Sequence, residues 1–338
     1  MIYTGLFVLM LLSFGLTAAL RRYALSQSML DIPNARSSHQ LPTPRGGGVA
    51  IVLSLMLFIP MLYWFGLTGW TSAVALVGSG VCVATIGFMD DHGHIAARWR
   101  LLGHFASASW AVFWLGGLPS IHVFSYTLDL GLFGDVLAIV YLVWLLNLYN
   151  FMDGINGIAS TEAIFVCVAG TVLYLVTQHE EMIWVPLAVS FAVVGFLFWN
   201  FPVARIFMGD AGSGFLGVIL AILSIQAAWT SPQLFWSWII LLGVFIVDAT
   251  FTLLRRLLTG QKVYEAHRTH AYQYASRMFG SHSSVTLSVL CINLLWLFPI
   301  ACFVALQKID GVSAMLVAYF PLTLLALKFR AGKTESFE

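Results

Sequence analysis

Residues 132–157 read LFGDVLAIVYLVWLLNLYNFMDGING, an apolar run that closes on a cluster of amides and one carboxylate. Up to Asn150 the stretch is long enough to cross the bilayer core, about 30 Å of hydrocarbon, as a helix. Asn147, Asn150 and Asp153 recur every third position, so at a helix end they share one face. Gly154 and Gly157 then break the helix and let a ligand approach the backbone. Carboxamide oxygens beside a carboxylate suit a hard cation such as Mg²⁺, and carboxamides also suit a nucleotide base. A C-capping turn explains Asn156-Gly157 but not the other polar groups on so apolar a segment.

The rest of the chain follows the same design. Of its 338 residues 60% are hydrophobic and 9% charged, whereas a soluble domain carries about 25% charged residues. The expectation is an all-α integral membrane protein, one membrane-embedded domain over residues 1–338. Eleven apolar stretches read as spanning helices, near 2–20, 47–65, 71–89, 101–118, 132–150, 157–177, 182–200, 211–229, 235–256, 285–306 and 311–329. The weakest are 101–118, which holds His104, and 211–229, which opens with small residues. All but Lys308 of the 16 Lys and Arg residues then fall on one side. The positive-inside rule puts the N-terminus in the periplasm, the C-terminus in the cytoplasm, and the loops at about 21–46, 90–100, 150–157, 200–210 and 257–284 in the cytoplasm. Residues 1–20 lack a basic start and read as a first span, not a cleaved signal. The four cysteines lie inside spans without C-x-x-C spacing, so neither a disulfide framework nor a zinc site is expected.

Three further polar clusters lie on the same side. Asp90-Asp91 closes the third stretch, and two adjacent carboxylates need compensating cations, either Arg98 and Arg100 or a divalent metal. A solvated acidic turn is the plainer alternative. FMGDAGSG precedes the eighth stretch. There Asp210 either N-caps a helix or holds a metal at a glycine-rich helix start whose N–H groups favour phosphate. EAHRTHAYQ places His267, Arg268 and His270 in the most basic loop, where they suit a phosphate or merely obey the charge rule. The loop DIPNARSSHQLPTPRGGG adds Arg36, His39 and Arg45 and reads as a mobile, anion-facing segment. Asp248 reads as structural, pairing with Arg255-Arg256. Glu162 is the other notable acid within a span.

In order along residues 31–275, PNARSSH-LPTPRGGG, the MDD motif, NxxNFMDGINGIA, FMGDAGSGFLG and HRTH resemble the polyprenyl-phosphate N-acetylhexosamine-1-phosphate transferase family. HRTHAYQ and MDGINGIA look closest to the O-antigen-initiating members. Three consecutive histidines, expected of the muramoyl-pentapeptide enzyme, are missing. The resemblance implies a bacterial inner-membrane enzyme with a cytoplasm-facing site, requiring Mg²⁺ or Mn²⁺. Its substrates would be a UDP-N-acetylhexosamine and undecaprenyl phosphate, among membrane lipid and without nucleic acid, with a homodimer as the candidate assembly. It makes Asp210 a metal ligand with Asn150 as second. Asp90 and Asp91 would face the lipid phosphate and the diphosphate. Asp153 and Asn147 would shape the site, Asn156 would lie near the uracil, and Arg45 and Arg100 would meet phosphate. Arg268 and His270 would contact phosphate or sugar, His270 within the catalytic set. Direct attack on the β-phosphate and a two-step route through an aspartyl phosphate both fit these residues. An aspartate-rich prenyltransferase and a secondary transporter are the rival classes. The first would want further aspartates after Asp90-Asp91, and the second inverted repeats.

Overall fold

The computed structural model describes residues 2–33, 41–93, 95–124, 126–261 and 267–333. Every one of the eleven apolar stretches is helical. In chain order the helices are α1 (Ile2–Ser26), α2 (Val49–Trp64), α3 (Trp70–His92), α4 (Ala97–Leu115), α5 (Gly131–Met152), α6 (Ile158–Val176), α7 (Trp184–Asn200), α8 (Asp210–Thr230), α9 (Pro232–Leu241), α10 (Gly243–Leu258), α11 (Ala271–Phe279), α12 (His282–Ile292), α13 (Phe298–Ala305) and α14 (Gly311–Lys328). A π segment, Asn293–Leu297, joins α12 and α13 into one apolar rod.

Eight helical segments among the described residues are long and apolar enough to cross a membrane, which makes this a polytopic all-α membrane protein. The remaining expected spans are irregular. Helix α2 has only 16 residues. Helix α4 opens with Arg98 and Arg100, which lower its apolar character. The stretch 235–256 is broken: α9 and α10 meet at 68°. Gly243 opens the break and packs tightly on α14, where a Cβ would stand 2.9 Å from the Tyr319 ring.

Helix α8, one of the two weakest stretches in sequence, is the centre of the bundle, with its whole apolar window buried. It packs on α2, α3, α5 and α9. The small residues that dilute its apolar signal are what let its neighbours approach. On the facing side, Gly87 of α3 lies against Ala211, where a Cβ would come within 2.5 Å of the Ala211 nitrogen. This contact draws the C-terminal end of α3 onto the N-terminal end of α8.

Two short antiparallel pairs complete the fold, β1 (Leu30–Asp31) with β2 (Thr43–Pro44), and β3 (Ile121–Val123) with β4 (Tyr126–Leu128). Among the described residues, the first pair puts Leu30–Asp31 and Thr43–Pro44 in regular structure where a mobile loop was expected over 31–48. Gly47 and Gly48 donate to the carbonyls of Phe207 and Met208 at 2.9 and 2.8 Å, and Phe207 donates to Pro44 at 2.8 Å. Residues 43–48 are therefore strapped to the chain entering α8. Arg36 and His39 lie outside the described residues. The loop expected at 257–284 is likewise not plain loop, because it contains α11.

Candidate active site

Three helix ends meet. Helices α3 and α5 bring their C-terminal ends, with Asp90-Asp91 and the Asn147–Asp153 cluster, to the N-terminal end of α8, with Asp210. Asp90 and Asp91 are each 7% exposed. The Asp91 carboxylate accepts the N–H groups of Asp210 and Ala211 at 3.2 and 3.3 Å. Asp91 is thus the cap of α8, satisfying amides that the helix cannot and setting a negative charge at its positive end. This corrects two readings of FMGDAGSG. Asp210 is not the N-cap: Gly209 holds that place at φ 79°, and Asp210 is the first helical residue. Nor does the helix start present bare amides to phosphate. Asp91 takes two, and the next two, of Gly212 and Ser213, donate to the Gly209 carbonyl, each at 3.1 Å.

The arginines sort themselves between the carboxylates. Arg100 forms an ion pair with Asp90, and its Nη1 also stands 3.6 Å from Oδ2 of Asp210. Arg45 donates to the Asp91 carbonyl at 2.7 Å and lies 3.6 Å from its carboxylate. Arg98, expected as a partner for the acidic pair, instead lies over the Trp99 ring. Asp153, the C-cap of α5, is driven up to about 7 by burial first and then by the charges of Asp210 and Asp91. Asp90, Asp91 and Asp210 therefore share two guanidinium groups, with the buried Asp153 near enough to feel the charges of Asp91 and Asp210.

The amides divide in role. Asn150 accepts a hydrogen bond from Ser213 of α8 at 3.1 Å, which ties the end of α5 to the first turn of α8. Asn147 turns back on its own helix, donating to Val143 at 2.7 Å, with buried His104 of α4 3.4 Å away. The Asn156 carboxamide donates to the Pro202 carbonyl at 3.2 Å, and the Asn156 backbone carbonyl accepts from the Thr286 hydroxyl at 2.9 Å. Gly154 and Gly157 make room for protein and not for a ligand. A Cβ on Gly154 would strike the Tyr272 hydroxyl, and one on Gly157 the Phe201 ring.

The histidine cluster lies behind this centre. His270 is 1% exposed and N-caps α11, and its ring stands 3.4 Å from Asp248. It stacks on His267 and on Phe151. Asp248 does not reach Arg255 or Arg256, which bond to Ala331 and Gln261. Instead it accepts the N–H groups of Ala271 and Tyr272, both at 2.9 Å. The structural role expected for Asp248 holds, with a helix start in place of an arginine pair. His267 is pulled down to about 3, chiefly by burial and then by His270 and Arg256. Arg268 lies between these histidines, and its carbonyl accepts from Arg277 at 3.2 Å. Sequence reading missed Ser213, Tyr272 and Phe207. The serine was legible, since it sits one turn from Asp210.

A cleft of about 560 Å³ is walled by Thr43, Asn156, Phe207, Arg277 and His282 among others, and none of the four carboxylates lines it. Two of its walls follow directly on the clusters, Asn156 three residues past Asp153 and Phe207 three before Asp210.

Residues 73–228 match the family model described as glycosyl transferase family 4. The chain is 30% identical over 296 residues to a Bacillus subtilis (strain 168) protein named "Probable undecaprenyl-phosphate N-acetylglucosaminyl 1-phosphate transferase", covering 86% of this chain and 80% of that one. It is 25% identical over 294 residues to the undecaprenyl-phosphate alpha-N-acetylglucosaminyl 1-phosphate transferase of Thermotoga maritima, covering 85% and 87%. A phospho-N-acetylmuramoyl-pentapeptide-transferase of Lactococcus lactis subsp. cremoris is 31% identical over 219 residues, covering 59% of this chain and 64% of that protein. The matched region contains all three helix ends of the carboxylate cluster, and the prenyltransferase and transporter alternatives fall away. The chain belongs to glycosyl transferase family 4, among the transferases that place a sugar phosphate on a polyprenyl phosphate.

Proposed function

We propose that the enzyme transfers a sugar-1-phosphate from a UDP-N-acetylhexosamine to undecaprenyl phosphate, releasing UMP. It does so on the cytoplasmic side of a bacterial inner membrane, in an eleven-span topology with the N-terminus in the periplasm. The observation that carries the reading is the single Arg100 guanidinium held by both Asp90 and Asp210 at the junction of α3 and α8. Two polyanionic substrates meeting at a membrane face need fixed cations, and Arg100 and Arg45 supply them. The lipidic acceptor reaches a site at the ends of spanning helices. The uridine fits the cleft walled by Asn156 and Phe207.

The residues fit a Mg²⁺ ion, with Mn²⁺ as the substitute. Among the described residues no three His, Cys, Asp or Glu side chains converge as a ready metal cage. Mg²⁺ uses one or two carboxylates and completes its shell with water and substrate phosphates. Asp210, with its side chain 34% exposed, and the Asn150 carbonyl are the groups that would hold it. Bound there, it would neutralise the diphosphate and the excess carboxylate charge. The protein's own part is positioning. Asp91 fixes the start of α8, Arg100 orients Asp90 against Asp210, and Asp90 orients the acceptor phosphate. That phosphate has a second pKa of about 6 and is largely ionised at neutral pH, so direct attack needs no strong base.

The relatives' names favour N-acetylglucosamine as the first donor to test. The HRTHAYQ and MDGINGIA motifs extend the proposal to 6-deoxy N-acetylhexosamines and to O-antigen or a related envelope polysaccharide. Purified enzyme in lipid, given each UDP-N-acetylhexosamine with Mg²⁺, should release UMP only when undecaprenyl phosphate is present. UMP release that ignores the lipid phosphate, or none with any donor, would refute the proposal.

A further inference from the structure

The bend between α9 and α10 has a consequence at the site. It swings α10 out of line by 68°, so that Asp248 meets the start of α11. Asp248 is 6% exposed. Its Oδ1 accepts from Ala271 at 2.9 Å and from the Thr252 hydroxyl at 3.2 Å, and its Oδ2 accepts from Tyr272 at 2.9 Å. A carboxylate on one helix thus caps the N-terminus of another. His270 completes the cap. It stands at the N-cap position of α11, where its backbone N–H donates to the Gln273 side chain at 3.3 Å and its ring lies 3.4 Å from Asp248. The helix so fixed ends its reach on the acidic cluster's own turn. The Tyr272 hydroxyl donates to the Phe151 carbonyl at 3.0 Å, and Gly154 leaves room for that hydroxyl. Between Phe151 and Gly154 lies Asp153.

We propose that Asp248, His270 and Tyr272 form a brace that sets the position of the Phe151–Gly154 turn, and with it Asp153, during transfer. None of the three needs to touch substrate. They are positioning residues, and the last histidine of HRTH, buried at the start of α11 against Asp248, acts through that helix start and not as a reacting group. The inference rests on the proposed transferase reaction for its kinetic readout and on geometry alone for its structural one.

The test uses the full-length enzyme in lipid nanodiscs. Tyr272→Phe removes one hydroxyl and leaves the packing. It should lower kcat about tenfold with KM for the UDP-sugar within about twofold, as expected of a misplaced but intact site. Asp248→Asn should do the same more strongly, since its amide N–H₂ opposes one of the two backbone donors. Because both act through one chain of contacts, the double variant should be no slower than the worse single one. His270→Asn, which supplies a capping oxygen at the N-cap position, should restore most of the kcat that His270→Ala loses. Hydrogen–deuterium exchange gives the second readout. A peptide covering residues 147–158 should exchange faster in Tyr272→Phe, while α8 stays protected. Wild-type turnover and exchange in Tyr272→Phe would overturn the brace, as would multiplying losses in the double variant or a His270→Asn as poor as His270→Ala. A wild type that releases no UMP condemns the reaction instead, and the exchange of residues 147–158 then decides the brace alone.

Discussion

Asp91 holds Asp210 by its backbone, accepting the Asp210 N–H at 3.2 Å and that of Ala211 at 3.3 Å. One aspartate is spent on capping α8, and the other keeps its carboxylate partly exposed, 3.6 Å from Arg100. Two residues that look equivalent in sequence should therefore fail in different ways.

Asp91→Asn should destabilise the protein. One of the two capping bonds is lost, and the new N–H₂ faces a backbone donor. The side chain is 2% exposed, so water does not repair the loss. The cost should be about 1–3 kcal/mol. A lowered unfolding midpoint in detergent, with activity falling in step, is the expected result.

Asp210→Asn should leave the midpoint in place and abolish transfer. Its backbone N–H still meets Asp91, and only the partly exposed carboxylate is neutralised. A loss of about a thousandfold in kcat is expected for an electrostatic group at the reacting phosphate. Chelation of divalent metal should have a comparable effect on the wild type. Substantial turnover of Asp210→Asn with Mg²⁺ would remove Asp210 from the metal site.

Arg100→Lys should be slow in spite of its charge. The planar guanidinium reaches Asp90 and Asp210 together, and a lysine ammonium at the same place serves one of them. Asp90→Asn should also cut the rate, with its pH optimum unshifted, because the acceptor phosphate is ionised without help. A pH–rate profile that recovers only at high pH in Asp90→Asn would make Asp90 a general base.

Asp153 sets a pH dependence of stability. Its folded value, about 7, lies above the ordinary carboxylate range because of burial and the nearby charges of Asp210 and Asp91. Between roughly pH 4 and pH 7 the folded state therefore holds a proton that the unfolded chain has released. Stability from this group falls as pH rises through that window and levels off above it. Asp153→Asn should remove that part of the decline. Without divalent metal, the variant should gain on the wild type between pH 5 and pH 8 in unfolding midpoint.

The proposed topology predicts one-sided labelling. In a background free of the four native cysteines, Phe124→Cys, between β3 and β4, should react with an impermeant reagent from outside intact cells. Ser281→Cys, just before α12, should not. The reverse pattern would invert the orientation.

Composition and apolar run length determined the membrane class and where the apolar helices lie, because both follow from local transfer of side chains out of water. The gathering of polar clusters at span ends was legible for the same reason, and so were Asp90, Asp91, Asn150, Asp153 and Asp210 as one group. What each member does was decided only by long-range contact. Asp91 and Asp210 are 119 residues apart in sequence, and no local pattern says that one caps the helix of the other. The prominence of α8 was hidden because its small residues read as weak apolarity, while in three dimensions they permit the closest packing. Asp248 found a helix start and not an arginine because a 68° bend, invisible in an unbroken apolar run, carried it there. The resemblance alone suggested a phosphate or sugar contact for His270, and only the folded chain shows its ring buried 3.4 Å from Asp248 at the start of α11. Sequence thus carries the chemistry available at each span end, and tertiary packing decides which of those groups are consumed by holding the fold and which are left to meet substrate.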